Sequence, residues 1–367
     1  AVDASRTTLA RRTGTENYAY QLLKALIELE TPHQFTFYFR ETPQPNLFRP
    51  SPRLIQQVIP FSRIWTHIRF AAALYQNRPD VTFVPAHTLP LVFPGRAAVT
   101  VHDLGYLHFP EAHPWRERLY LRLTTRFSAR RAHVVIADSE ATRHDLIQHN
   151  HIREEKIKVI YPGVEGIERA SSARIEAVRV RYQLPEQYFL FLGTIQPRKN
   201  IRRITEAFAR FCQAGIDPKI GMVFGGNPGW LLDMKRDVLA TLSPEVQERI
   251  RVTGYIPDAD VAALYSGALA LVFPSLYEGF GFPVIEAMRC GTPVICANIS
   301  SLPELAGEAA ILVDPLDVGA IAEGMKRLAR DPDLRRDLSV KGQLQAAPFT
   351  WERTAQQTLV ALETCIP

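Results

Sequence analysis

"ALVFPSLYEGFGFPVIEAMRCGTPVI", residues 270–295, reads as strand, loop, helix and strand in succession. The apolar run 270–273 has the length of a buried strand, and a second run lies at 294–296. Between them Gly279 and Gly281 let the backbone turn tightly, and Pro283 suits the first turn of a helix. A helix joining two buried strands predicts a parallel pair, so the stretch predicts an α/β sheet.

The same rhythm extends in both directions. Further strands are expected at 188–192, 219–224, 250–253 and 310–313 in the second half, and at 35–39, 81–84, 97–101, 134–137 and 158–161 in the first, with helical patterns such as 18–29 between them. "AVD" at the start reads as a very short first strand, so residues upstream of it are expected to be missing. The rhythm breaks at 161–187, "YPGVEGIERASSARIEAVRVRYQLPEQ", where turn residues and charges accumulate. Two open α/β domains are therefore expected, 1–165 and 188–349, joined by a linker at 166–187. A last helix at 350–367 has Thr350 as its N-cap.

A chain of 367 residues exceeds one ordinary core, and 46% hydrophobic with 22% charged residues is a globular composition. No apolar run approaches the ~20 residues of a membrane span. The four cysteines are scattered without a paired motif, as expected of reduced thiols in a cytoplasmic protein. The net charge of +5 can be found within 113–133, which holds six arginines and one glutamate. Arg118, Arg122, Arg126 and Arg130 recur every four residues, with Leu119, Leu123 and Phe127 on the neighbouring face. That pattern reads either as a solvated face above an apolar core stripe or as a surface for anionic lipid headgroups or a lipid diphosphate at the membrane. No recognition fold or interleaved aromatic pattern points to nucleic acid.

In open α/β sheets ligands bind beyond the carboxyl ends of the strands. "GTIQPRKN", 193–200, follows one such end and leads into a helix whose N-terminus adds partial positive charge beside Arg198 and Lys199. Two cations with free backbone N–H groups suit a diphosphate, although a solvated basic turn would also place charge there. Glu278 in the glycine loop and Glu286 in the following helix, seven residues intervening, can hold two different groups of one ligand.

Taken with "RKN", the stretch "EGFGFPVIEAMRCGTPV" resembles the retaining glycosyltransferases of family 4, which have the GT-B fold. The likeness runs along the whole chain. "DASRTTLARRTGTENYAYQLL", "VTVHDLGYLHFPE", "VIADSEATRHDL", "VIYPGVE", "VTGYIPDADVAALYSGALALVFPS" and "FTWERTAQQTL" resemble family segments in order. The resemblance implies two Rossmann-like domains facing a cleft, the last helix crossing back to the N-terminal domain. It implies a nucleotide-sugar donor, a glycan or lipid-linked acceptor and no cofactor or metal. Arg198 and Lys199 match the residues that bind the donor diphosphate, Glu286 the ribose ligand, and Glu278 a ligand of the transferred sugar. The backbone of Gly279, Phe280 and Gly281 would hold sugar and phosphates, Gly14 would lie near the diphosphate, and Tyr255 and Ile256 would flank the base. His102 matches the family's sugar-contacting histidine. Arg11, Arg12 and His87 are candidate acceptor contacts. GDP-mannose is the favoured donor, with UDP-glucose or a dTDP-deoxysugar as alternatives. A nucleotide-sugar epimerase or phosphorylase of the same fold, or a non-catalytic nucleotide-sugar binder, are the rival functions.

Other signals point away from metals and dinucleotides. Asp258 and Asp260 in "DAD" precede a helical pattern and read as helix capping. His144, His149 and His151 match no common zinc spacing and have no neighbouring Cys or Glu. "GGNPGW", 225–230, lacks the GxGxxG order and reads as a strand-end loop. His102 and Asp103, adjacent on an extended segment, point to opposite sides and do not form a pair.

Overall fold

The expected apolar runs form two parallel sheets. The computed structural model describes residues 1–9, 14–62, 64–112, 114–229 and 232–366. The chain divides into two compact units, Ala1–Gly163 with Phe349–Pro367, and Val164–Pro348.

In the first unit the strands are β1 (Val2–Asp3), β2 (Phe35–Phe39), β3 (Leu54–Val58), β4 (Val81–Val84), β5 (Arg96–Val101), β6 (Val134–Ala137) and β7 (Ile157–Val159), in the sheet order β3-β2-β1-β4-β5-β6-β7. All pairs are parallel, with registers such as Val99 against Val135. Helices α1 (Gly14–Glu28), α2 (Ala71–Asn77), α3 (Gly105–His108), α4 (Trp115–Arg131) and α5 (Glu140–Asn150) connect them. The inner strands are buried on both faces, which is why their sequences are continuously apolar rather than alternating.

The second unit holds β8 (Gln187–Leu192), β9 (Ile220–Gly225), β10 (Ile250–Gly254), β11 (Ala270–Phe273), β12 (Val294–Ala297) and β13 (Ile311–Val313), ordered β10-β9-β8-β11-β12-β13 and again all parallel. Its helices are α6 (Ser172–Arg181), α7 (Ile201–Gln213), α8 (Pro244–Glu248), α9 (Asp258–Ser266), α10 (Phe282–Arg289), α11 (Leu302–Ala306), α12 (Val318–Arg330) and α13 (Pro332–Ala346). On α7, Ile201, Ile204, Thr205, Ala207, Phe208 and Phe211 form the buried stripe. Each fully enclosed aromatic there contributes about 1.5–3 kcal/mol. Chain reversal occurs beside the first-placed strand of each sheet, between β1 and β4 and between β8 and β11. Those are the switch points at which an open sheet leaves a crevice.

The final helix, α14 (Trp351–Glu363), belongs to the first unit and packs on α1. Thr350 caps it as expected, its side chain accepting from the Arg353 amide at 3.2 Å. Thr354 Oγ1 donates to the Tyr161 carbonyl at 2.8 Å, and a Cβ on Gly163 would lie 2.2 Å from the Trp351 nitrogen, so this crossing requires glycine.

Three elements differ from expectation in instructive ways. β3 is not among the expected strands because it is an edge strand with Gln56 and Gln57 in its middle and little apolar signal. Within the expected linker, α6 forms and packs on α9, with Val178 as its buried residue. On α4 the expected core stripe is largely uncovered: Leu119 is 48% and Leu123 58% exposed while Phe127 is half-buried, and Trp115 (65%) and Tyr120 (51%) are exposed on the same helix. The buried face is instead Thr124, Thr125, Ser128 and Ala129, small side chains that let α4 lie close to its unit. Arg122 and Arg130 are exposed, while Arg118 and Arg126 are half-buried at the border. No described helix is long and apolar enough to cross a membrane.

Candidate active site

The loops that follow β8 and β11 are stitched together at the second switch point. The Leu276 amide donates to the Arg198 carbonyl at 2.9 Å, and Arg198 Nη1 donates to the Tyr277 carbonyl at 2.5 Å. Asn200, in the left-handed region at φ 63°, directs its side-chain amide to the carbonyls of Pro274 and Pro315 at 2.9 and 2.6 Å. This third residue of "RKN" sets the start of α7 and ties it to both loops. Sequence reasoning gives it no role, because its partners lie 74 and 115 residues away.

The two cations converge on one carboxylate. Lys199 Nζ donates to Glu278 Oε1 at 2.5 Å, Arg198 Nη1 donates to Oε2 at 3.1 Å, and Ser275 Oγ donates to Oε1 at 2.5 Å. Lys199 is buried, its ammonium 4.9 Å from the centre of the Phe273 ring. Burial alone would raise the Glu278 carboxyl. The charges of Lys199 and Arg198, with hydrogen bonds from Lys199 and Ser275, overcome that and pull it down to about 2. Glu278 is therefore held ionised at neutral pH between two basic side chains at a strand-end crevice.

The glycine loop is fixed from behind. Ser300 Oγ donates to the Glu278 carbonyl at 2.5 Å, and Ser301 Oγ donates to the carbonyls of Glu278 and Phe280 at 3.1 and 2.5 Å. Gly281, at φ 115°, starts α10, and a Cβ there would stand 2.6 Å from Leu302 Cδ2. One turn later Glu286 accepts a hydrogen bond from the Tyr265 hydroxyl at 2.8 Å. Burial raises the Glu286 carboxyl and the charge of Asp258 adds to it, against the lowering effect of Tyr265, so the net shift is upward. Tyr255, 56% exposed, and Ile256, buried, follow β10 on the same edge of the sheet. The 226–229 loop lies against 193–196 through Ile195 N to Asn227 O and Gly229 N to Ile195 O, both 2.9 Å.

In the first unit His102 sits where three strand ends meet. Its Nδ1 faces Asp138 Oδ2, just beyond β6, at 2.6 Å, and its Nε2 faces the Pro85 carbonyl, just beyond β4, at 3.3 Å. Both partners are acceptors, an arrangement that suits a doubly protonated ring. Burial lowers the His102 pKa, but Asp138, Asp103 and the Pro85 carbonyl outweigh it and the net shift is upward. His87 stands 5.4 Å from His102 between ring centres and Tyr18 4.7 Å. Burial, followed by the charge of His102, takes His87 down to about 3. Its Nδ1 and Asp138 Oδ1 are buried without a hydrogen-bond partner among the described residues. Asp103 does turn away from His102 and accepts from the Gly105 amide at 2.7 Å. Sequence reasoning misses Asp138, inside the quoted "VIADSE", as the ring's partner.

Gly14 opens α1 and is exposed, and among the described residues nothing lies within 4 Å of where a Cβ would stand. Arg11 and Arg12 lie outside the described residues. The "DAD" aspartates occupy the first turn of α9, where Pro257 is the N-cap and makes no side-chain cap. Capping is therefore not the role of Asp260: it is buried and accepts from Arg174, Arg181 and Tyr182 at 2.6, 2.8 and 2.8 Å, anchoring α6. Of the histidines at 144, 149 and 151, only His149 meets other potential ligands among the described residues, Asp145 and His108.

Residues 12–165 match the family described as Glycosyltransferase Family 4, and residues 175–345 match Glycosyl transferases group 1. O-antigen chain mannosyltransferase B of Escherichia coli is 35% identical over 271 residues, covering 72% of this chain and 70% of that protein. The chain belongs to glycosyltransferase family 4. Another relative of this family 4 chain is the serotype-specific mannosyltransferase WbdA of Escherichia coli, 30% identical over 81% of this chain. The chain spans only 37% of the length of WbdA. Among solved structures, sucrose-phosphate synthase from Thermosynechococcus elongatus superposes with a TM-score of 0.76 at 21% identity, over 99% of this chain and 98% of that one. HepE of Anabaena, solved with UDP and glucose, gives 0.73 at 18% identity, over 99% and 98%. These likenesses establish the GT-B type of fold, and the relatives place the chain in the group of O-antigen mannosyltransferase-like glycosyltransferases.

Proposed function

We propose that this transferase moves a hexose from a nucleotide-diphosphate sugar to a hydroxyl of a glycan or lipid-linked acceptor, with retention of anomeric configuration. GDP-mannose is the proposed donor, supported by the names of the mannosyltransferase relatives, with UDP-glucose or a dTDP-deoxysugar as alternatives. The observation that carries the reading is the Arg198–Lys199–Glu278 cluster, two basic side chains held together on one buried carboxylate just beyond the strand ends. Arg198 and Lys199 would bind the diphosphate and stabilise charge as the bond from the anomeric carbon to phosphate oxygen breaks, so that no metal is required. Glu286 would bind the ribose hydroxyls, its orientation set by Tyr265. The backbone of Gly279, Phe280 and Gly281 would hold sugar and phosphates.

In this scheme the acceptor oxygen bonds to the anomeric carbon on the face the phosphate leaves, and its proton passes to a phosphate oxygen. Glu278 is held far below the usual carboxylate range. That makes it a weak base and a weak nucleophile, which favours a sugar-binding role over a covalent one. The unpartnered His87 Nδ1 and Asp138 Oδ1 beside His102 suit hydroxyl groups of a sugar.

The test is a thermal-shift screen against GDP, UDP, dTDP and ADP in EDTA, followed by transfer assays with the selected donor and anomeric analysis of the product. A selective rise with GDP in EDTA is expected. Absence of a shift with every nucleotide, in a protein that still melts cooperatively, overturns the donor site.

The exposed Trp115, Leu119, Tyr120 and Leu123 on an arginine-rich helix support a second component of the proposal, that α4 rests on an anionic membrane where a lipid-linked acceptor resides. Each arginine near such a surface contributes about 1 kcal/mol. Flotation with phosphatidylcholine vesicles should fail, and addition of phosphatidylglycerol should recruit the protein. Retention of recruitment after Leu123→Asp with Arg122→Glu overturns the assignment to α4.

A further inference from the structure

His108, Asp145 and His149 converge in the first unit on a part of the surface that the transfer reaction, as proposed, does not use. Asp145 and His149 are one helical turn apart on α5, and His108 is the last residue of α3. Asp145 Oδ2 lies 2.8 Å from His108 Nε2, and its Oδ1 lies 3.8 Å from His149 Nε2. The three ligand atoms all lie within 4.8 Å of one another. The two imidazole rings stand nearly perpendicular, at 83°, with centres 5.6 Å apart.

Two imidazoles and a carboxylate form a donor set suited to zinc-class divalent cations, which take such ligands at about 2.0–2.2 Å in a tetrahedron. That geometry puts ligand atoms roughly 3.4 Å apart. The 2.8 and 3.8 Å spacings run to different oxygens of Asp145, and with all three ligand atoms within 4.8 Å of one another the side chains must rotate to bring one carboxylate oxygen and both ring nitrogens to that distance. Asp145 is mostly enclosed while both histidines are partly open to solvent. The deeper His102–Asp138 pair differs in that its ring is held between two acceptors and presents no such opening.

We propose that these three residues bind one zinc-class cation, which staples the 102–108 segment to α5. The same helix already holds the start of that segment, because Thr142 Oγ1 donates to the His102 carbonyl at 3.2 Å. A cation one turn further along would fix its other end at His108. The ion would thus act on the segment carrying His102 without taking part in transfer, and its presence is independent of the donor proposed above.

The experiment strips the full chain with chelator, removes the chelator, and measures zinc by equilibrium dialysis with elemental analysis. Cobalt(II) binding is followed in parallel by its visible spectrum. One zinc per chain is expected, with a cobalt spectrum of tetrahedral intensity. His149→Ala and His108→Ala should each weaken binding by more than about 10-fold, whereas His144→Ala and His151→Ala should leave it unchanged. His149 is 46% exposed, so its variant should fold, and circular dichroism checks that it does. Failure of the wild-type chain to bind zinc, undiminished binding by both His149→Ala and His108→Ala, or loss of binding in the His144 or His151 variants overturns the site. Donor binding is measured separately by the nucleotide screen, so failure of one proposal is distinct from failure of the other.

Discussion

Replacing Lys199 by methionine perturbs the ionic cluster at its shortest contact while keeping the side chain's bulk against Phe273. The Glu278 carboxyl is taken from 4.5 to about 2, a preference for the charged form of about 3 kcal/mol at 1.36 kcal/mol per unit. Lys199 contributes the larger charge effect and Arg198 the smaller. Removing Lys199 leaves an enclosed carboxylate with one cation and one hydroxyl, so the unfolding free energy at neutral pH should fall by about 2–4 kcal/mol. The folded-state pKa of Glu278 lies below its unfolded value, so the stabilisation is complete above 4.5 and is lost as pH falls towards about 2. Urea melts across about pH 3 to 7 should therefore show the gap between wild type and variant narrowing as the solution becomes acidic. Adding Glu278→Gln should recover part of the lost stability, since the unpaired charge goes with it. Activity should respond differently: Lys199→Met should reduce kcat by about 10²–10³-fold, and the double variant should not regain it. Equal stability of the single and double variants refutes the ionic account. Wild-type kcat/KM in Lys199→Met refutes the proposed role in transfer.

Glu286→Ala should weaken binding of the donor nucleotide by about 10–100-fold, the equivalent of losing hydrogen bonds to a charged group, as read by calorimetric titration. Tyr265→Phe should lie between it and wild type, because it frees the carboxylate without removing it. Asp138→Asn should lower the His102 pKa from its raised folded-state value, since burial would then act with less opposition, and imidazole NMR would follow the titration. The sign is fixed by the raised folded-state value: the stabilisation is full below 6.5 and lost as pH rises through the folded pKa, so wild type and variant should differ most on the acid side. Gly281→Ala should cost about 2–4 kcal/mol, combining positive φ with the collision at Leu302, and thermal melting would measure it.

Legibility in the sequence follows the distance between interacting residues. Inner strands such as β9 and β11 are continuous apolar runs, readable because both faces are buried. The paired loops are readable because each is contiguous: Arg198 with Lys199, and Glu278 with its glycines. What joins them is not readable, since Lys199 and Glu278 are 79 residues apart and His102 and Asp138 are 36 apart. The α4 helix misleads for a different reason. Periodicity identifies a stripe but not which stripe is covered, and close packing of Thr124, Thr125, Ser128 and Ala129 reverses the usual choice. The three histidines of α5 and its end invite comparison with each other, whereas His149 finds its nearest companions in Asp145 and in His108 of another helix.

The two sheets explain why polar chemistry gathers where it does. Numbered from its own first strand, the second unit repeats the order 3-2-1-4-5-6 found in the first, which adds one further strand. In each, the chain winds outward from strand 1 in one direction and from strand 4 in the other, so the loops after those strands leave towards opposite faces and open a crevice between them. In the second unit these loops carry Arg198, Lys199 and Glu278, joined by the contact from Leu276 to Arg198. In the first, the loop after strand 4 carries His87, and strand 5 next to it delivers His102. Rigid parallel strands can hold such groups while most of their own backbone bonds remain intact. A buried lysine, a buried histidine and a buried glutamate are costly in an ordinary core, and their concentration just beyond strand ends is what a sheet built around ligand crevices should retain.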